Sequence, residues 1–277
     1  MLLGLGAATY DLSERALVMG VLNRTPDSFF DRGAYFGLDR FLRRAEELVQ
    51  AGADLLDVGG VKAGPGPEVG TQEELDRVVP AVEALRARFD VPVSVDTWRA
   101  AVAEEAFRAG AVMGNDISGF ADPGYLAAAA RHRAAVVACH IRLAPRVPDP
   151  EPCYADLVGE VEAFLADRAG RALEAGVGRD RVVLDAGLDL GKTPQQSLQL
   201  LRASGRLAGL GFPLMVSASN KPFLGAVLDL GLEERGPASL GAAALAVSLG
   251  ARMVRAHDVA GTKRVCSVLA AIEGARA

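Results

Sequence analysis

Residues 182–201 read VVLDAGLDLGKTPQQSLQLL. Val182–Asp185 is a short, almost wholly apolar run that ends on an acid, as expected of a strand buried on both faces. Eight residues on, Thr193-Pro194 with Gln196 combines an N-cap, a proline at the first helical position and a reciprocal side-chain acceptor, so a helix starts there. The stretch is one strand–loop–helix unit with a polar tip on its strand.

The same unit recurs in both directions along the chain. Strand candidates are Leu17–Asn23, Leu55–Val58, Val91–Asp96, Val112–Asp116, Ala135–His140, Leu214–Ser217 and Met253–His257. Helix candidates between them include Phe41–Gln50, Leu75–Arg88, Arg99–Arg108, Asp156–Glu174 and Ala238–Leu249, and Thr71 with Glu74 has the spacing of a capping box. Eight strands, each followed by helical sequence, predict an α/β fold of the (β/α)8 TIM-barrel type, taken as a single domain over residues 1–277. The rival, an open doubly wound sheet, accounts less well for eight evenly spaced units.

Composition narrows the function. Of 277 residues, 50% are hydrophobic and the formal net charge is −5, which argues for a folded core and against disorder. An acidic chain supplies no broad field for nucleic acid. No run approaches the roughly 18 apolar residues that span a bilayer, and the apolar opening MLLGLGAATY has no basic flank of the kind a signal peptide carries. The three cysteines (Cys139, Cys153, Cys266) make no CxxC pair. A cytoplasmic protein is expected.

Nearly every strand candidate ends on polar residues: Asn23, Asp57, Asp96, Asn115 with Asp116, His140, Asp185, Ser217, and Arg255 with His257. Each alone is compatible with an ordinary helix cap. In a parallel barrel, however, these ends converge on one rim, where residues distant in sequence share a pocket. Asp96, Asn115 and Asp185 suit a flat heterocycle with several N–H and C=O groups. Arg255, His257 and Lys62 suit a phosphate or carboxylate. Residues 186–193 (AGLDLGKT) also fit a permissive phosphate-binding loop, the basis for a remote nucleotide-binding alternative. Asp185 and Asp189 would then face the phosphates, and few glycines are present to let backbone N–H groups converge, so that reading is set aside.

Seven segments in order, MGVLNRTPDSFFD (19–31), LLDVGG…PG (55–66), VSVDT (93–97), GNDISG (114–119), DAGLDLGK (185–192), SNK (219–221) and VRAHDV (254–259), resemble the dihydropteroate synthase family. The resemblance implies a barrel, cytoplasmic folate biosynthesis, Mg²⁺, a homodimer, and the joining of hydroxymethyl-dihydropterin diphosphate to p-aminobenzoate. It further implies that Asp96, Asn115, Asp185 and Lys221 hold the pterin, and that Asn23, Arg255 and His257 hold the diphosphate, with Asn23 a metal ligand. Lys221, Arg255 and His257 are then the expected catalytic residues, and Ser219 and Phe29 further substrate contacts.

The departures from the family pattern gather on the aminobenzoate side. The family's GGESTRPG is GGVKAGPG here (59–66), so Ala63 and Gly64 replace a Thr and an Arg. Asn220 stands where the family has an Arg, Leu188 and Leu190 stand for two phenylalanines, and Asp189 adds a negative charge. The pattern is similar to that of divergent second-copy members, and the alternative expectation is a pterin-binding homologue whose p-aminobenzoate chemistry is weak, lost or altered. Methyltransferase domains that bind a reduced folate are a more distant possibility within pterin-binding barrels.

Overall fold

The computed structural model describes residues 1–13, 15–24 and 34–274. A hairpin of β1 (Leu2–Leu5) and β2 (Ala8–Asp11) opens the chain. Eight parallel strands follow: β3 (Leu17–Asn23), β4 (Leu55–Gly59), β5 (Val93–Asp96), β6 (Met113–Asp116), β7 (Ala135–Cys139), β8 (Val182–Asp185), β9 (Leu214–Val216) and β10 (Met253–Ala256). They pair in chain order, and β10 closes on β3. This is the (β/α)8 barrel expected from the repeat, with each strand within two residues of its predicted bounds.

Helices run between the strands and around the barrel: α1 (Ala34–Gln50), α2 (Thr71–Arg88), α3 (Ala100–Arg108), α4 (Tyr125–Arg131), α5 (Leu157–Glu174), α6 (Pro194–Arg202), α7 (Ser204–Ala208), α8 (Pro222–Leu228), α9 (Gly236–Ser248) and α10 (Val259–Gly274). The Thr193 box forms as expected. Gln196 N–H donates to Thr193 Oγ1 at 3.2 Å, and Thr193 N–H donates to Gln196 Oε1 at 2.8 Å. The Thr71 box does not form, because the helix starts one residue earlier than the pattern requires. Gly70 is the N-cap, and Glu74 is drawn inward to pair with Arg99. Among the described residues no helix is long and apolar enough to cross a membrane.

The two-residue period of a strand divides the core. Val18, Leu56, Val58, Val93, Val95, Val136, Val182, Leu184, Val216 and Val254 face outward into the helical layer. Leu17, Met19, Leu55, Met113, Val137, Val183, Met215 and Met253 face the barrel axis. The hairpin contributes Leu3, Leu5 and Leu12 to that inner cluster, so the opening apolar run is a floor for the barrel. Arg181 anchors the hairpin, donating to Gly4 O and Gly6 O at 3.3 Å each.

Candidate active site

Continuing the inward faces by two residues brings the sequence-predicted polar tips into one mouth. From Leu55 the next inward position is Asp57; from Met113 it is Asn115; from Val183, Asp185; from Met215, Ser217; from Met253, Arg255 and then His257. On β5, between the outward Val93 and Val95, the inward positions are Ser94 and Asp96. Register sets these residues side by side: Asp57 opposite Ser94, and Asp96 opposite Asn115.

Arg255 ties the floor of the mouth together. Its Nε donates to Asp57 Oδ2 at 2.7 Å and its Nη2 to Asp96 Oδ2 at 2.9 Å. Asn115 Nδ2 donates to the same Asp57 oxygen at 3.0 Å. One guanidinium therefore serves two carboxylates in a water-poor setting. Burial, opposed by Arg255 and reinforced by Asp57, pushes the Asp96 carboxyl up to about 7. Burial works against the Arg255 charge as well, but the two carboxylates more than offset it and raise its pKa. Asp57 Oδ1 is buried with no protein partner among the described residues, so polar capacity is left in the mouth.

Asp185 sits on the other side, 3% exposed. Gly187 N–H donates to its Oδ1 at 2.7 Å and the Ser217 hydroxyl to its Oδ2 at 2.9 Å. Each carboxylate oxygen keeps a further lone pair for a ligand N–H. Lys221 Nζ donates to Leu188 O at 2.5 Å, which holds the ammonium beside the loop that follows Asp185. Ser219 accepts from the His257 N–H at 3.1 Å and lies 3.0 Å from His257 Nδ1, an arrangement that lets Nε2 carry the ring proton toward the rim.

Asn23 is exposed at the tip of β3. Gly59 pairs in register with Asn23 on one side and Asp96 on the other, which sets the Asn23 amide beside the mouth. Among the described residues no group of three or more His, Cys, Asp or Glu is arranged to hold a metal ion. Phe29 lies outside the described residues.

Several polar tips serve the scaffold instead of the mouth. Asp116 accepts from Ser118 N–H at 2.6 Å and Phe120 N–H at 3.0 Å, shaping the turn after β6. Asp189, in the left-handed region at φ 66°, accepts from Phe223 N–H at 3.2 Å at the start of α8 and from the Ser197 hydroxyl at 3.3 Å. These two bonds fix the carboxylate of Asp189 against α6 and α8. Leu188 is 2% exposed and packs within the outer core.

The segment 186–193 also fails as a phosphate cradle. Its N–H groups at Gly187, Asp189, Leu190 and Thr193 are engaged within the protein. Lys192 Nζ is buried and donates to His140 Nδ1 at 2.9 Å, His140 O at 3.2 Å and Leu190 O at 2.9 Å. An ammonium with three protein acceptors has no donor left for a phosphate. Burial pulls Lys192 down to about 7 and His140 down to about 3. Sequence reasoning missed this locking pair, and it missed the central part of Asp57, although Asp57 lies two residues beyond the inward Leu55.

A model of the family described as pterin binding enzyme matches residues 19–257, the span from the first barrel strand to the last residue of the rim. The chain belongs to the pterin-binding enzyme family. Within that family it is 41% identical over 273 residues to a dihydropteroate synthase of Synechocystis sp., covering 98% of this chain and 94% of that one. It is 44% identical over 270 residues to an inactive dihydropteroate synthase 2 of Mycobacterium leprae, with 95% and 93% covered. Its backbone is similar to that of Yersinia pestis dihydropteroate synthase in a sulfonamide complex, at TM-score 0.92 and 40% identity over 99% of this chain and 100% of that one. The family member is thus a transferase of dihydropteroate synthase type. Active and inactive relatives stand at nearly equal identity, so the residues around the mouth carry the decision about turnover.

Proposed function

We propose that this family member joins hydroxymethyl-dihydropterin diphosphate to p-aminobenzoate and releases diphosphate. The observation that carries this reading is the convergence of Asp57, Asp96, Asn115, Asp185 and Arg255 on one mouth, an arrangement of acceptors around a fixed cation. A pterin presents an amidine edge and ring N–H groups, which pair with Asp96, Asn115 and Asp185. Lys221 provides a donor for a ring acceptor. His257 and Asn23, farther out on the rim, are placed for the diphosphate arm, with Ser219 orienting the His257 ring.

Arg255 has a share in both roles: it fixes Asp57 and Asp96 and adds positive potential under the departing group. The electron-rich pterin delocalises positive charge as the methylene C–O bond breaks, and diphosphate leaves with the electron pair. The arylamine is neutral at pH 7 and attacks through its own lone pair, and the acidic arylammonium nitrogen so formed releases its extra proton to solvent, so no strong general base is required. For Mg²⁺, the exposed amide oxygen of Asn23 at the tip of β3 is the donor that would hold an ion relying otherwise on substrate phosphates and retained waters. Held by Asn23, such an ion would supply charge neutralisation for a diphosphate. We place the protein in the cytoplasm. Leu245 on α9 and Val268 and Ile272 on α10 are exposed apolar residues on adjacent helices, and they support a homodimer.

A second reading retains the pterin half and changes the second substrate. The observation that favours it is local. Position 63–64 carries Ala-Gly, and the Asn220 Oδ1 lies 3.5 Å from Ser239 Oγ, turned toward α9. Steady-state release of diphosphate tests the two. The first reading expects release from pterin diphosphate and Mg²⁺ that depends on p-aminobenzoate. Pterin-diphosphate binding without such release is the outcome of the second, and absence of pterin binding contradicts both.

A further inference from the structure

Lys192 stands where a phosphate loop has its lysine, yet its ammonium donates wholly to protein. It is 7% exposed, and a cation is held so deep where its N–H groups are met. The acceptors come from two parts of the barrel. His140 Nδ1 and His140 O lie just past the end of β7, and Leu190 O lies in the turn after β8. Lys192 therefore clasps the β8 turn onto the end of β7. Removing the ammonium leaves these acceptors unmet and the clasp undone.

That turn leads to the mouth. Gly187, Asp189 and Gly191 all sit in the left-handed region, at φ 65°, 66° and 62°, and Leu190 N–H closes the turn on Gly187 O at 3.0 Å. A backbone that holds a non-glycine residue in that region keeps its shape through its contacts. At its start, Gly187 N–H donates to Asp185 Oδ1 at 2.7 Å. Next, Leu188 O accepts from Lys221 Nζ at 2.5 Å, and two residues on Leu190 O accepts from Lys192 Nζ at 2.9 Å. Two lysines thus hold two carbonyls of one turn, Lys192 from the buried side and Lys221 from the side of the mouth. The turn is also seated on an oxygen that Lys192 holds, since a Cβ on Gly187 would lie 1.9 Å from His140 O. A shift of the turn away from that seat carries Leu188 O with it, and so the Lys221 ammonium.

We infer that Lys192 is a positioning residue for the pterin site: by clasping Leu190 O to His140, it sets the turn whose Leu188 O holds the Lys221 ammonium. The inference rests on the proposed pterin role of Lys221, and one of its two readouts needs no ligand.

The ligand-free readout is amide hydrogen exchange in the full-length protein. In Lys192→Met the amides of residues 187–190 are expected to exchange about tenfold faster or more, with those of β7 and β8 unchanged. Leu3→Ala, which destabilises the barrel floor, serves as the control and is expected to show no such local change. The second readout is a double-mutant cycle, read by titration of pterin diphosphate with Mg²⁺. Lys192→Met and Lys221→Ala are each expected to weaken affinity about tenfold or more, and the double variant to fall within about threefold of Lys221→Ala alone. Lys192→Arg, which keeps the charge and the donors, is expected to recover part of the loss. Where Lys192→Met does not fold, Lys192→Gln takes its place in both readouts. Losses that multiply in the double variant would mean that Lys192 does not act through Lys221, and would overturn the inference. So would unchanged exchange in the turn. No pterin-diphosphate binding by the wild type, with exchange of the turn still dependent on Lys192, would instead overturn the proposed reaction and leave the clasp on the turn standing.

Discussion

Arg255 is the residue on which the mouth depends most. Replacing it with Met leaves Asp57 and Asp96 facing each other without a counter-charge, and breaking a buried pair in this way destabilises by about 3–5 kcal/mol. Arg255→Met is therefore expected to lower the Tm by several degrees and to abolish pterin binding, both readable by thermal melts with and without ligand. Asp96 gives a pH signature. Its folded-state pKa is raised toward 7 by burial, so its contribution to stability is fully present below the unfolded value near 4 and is lost as pH rises through about 7. A pterin N–H pairs with the ionised carboxylate, so pterin affinity in wild type is expected to increase from pH 6 to pH 8, and to lose that increase in Asp96→Asn. Calorimetry across that range checks the sign. Gly187 is a third case. Its φ is 65°, and an added Cβ would lie 1.9 Å from His140 O, so Gly187→Ala is expected to destabilise by more than ~2 kcal/mol and to displace Asp185. At this scale, sequence reading separated what a strand period decides from what a turn decides. Asp185 and Asn115 were legible because they extend an inward face by one step. Asp189 was not, because the left-handed turn that aims its carboxylate at α8 leaves no mark in residue type.

The strands of the barrel were readable as elements because both of their faces are apolar, and burial of both faces is what a closed parallel sheet under helices requires. Helix starts were less uniform. Thr193 and Thr71 carry the same spacing to their Gln or Glu partner, but only Thr193 precedes a proline that fixes the first helical turn. Thr193→Ala is expected to destabilise by about 1 kcal/mol, measured by denaturant unfolding, whereas Thr71→Ala is expected to fall within about 0.5 kcal/mol. The β1–β2 hairpin escaped sequence reading because its apolar residues serve a surface made by eight other strands. Nothing within MLLGLGAATY itself states that a barrel floor needs covering.

For the whole molecule, the fold separates stability from chemistry along the barrel axis. The lower inner layer, closed by Leu3, Leu5 and Leu12, is built on apolar side chains such as Leu17, Met19, Leu55 and Met253; the upper one is polar and faces the mouth. Leu3→Ala is expected to lower stability by roughly 2–5 kcal/mol with pterin affinity changed less than twofold, a division that melts and titrations on one variant can read. Convergence of distant strand ends was legible because a parallel barrel imposes it once the repeat is recognised. The contact of Arg146, after β7, with Ala63 O and Pro67 O in the loop after β4 was not, since it depends on backbone geometry in two irregular segments.

The central claim is that the polar tips form one pterin-diphosphate site. It is tested most directly by calorimetric titration of pterin diphosphate with Mg²⁺ into wild type and Asp185→Ala, a variant that removes a ligand-facing carboxylate at the end of β8. Measurable wild-type affinity weakened about 100-fold or more in Asp185→Ala, with the Tm of the free variant lowered only modestly, is the expected result. Equal affinity in the two proteins, or no binding by the wild type, would contradict the claim.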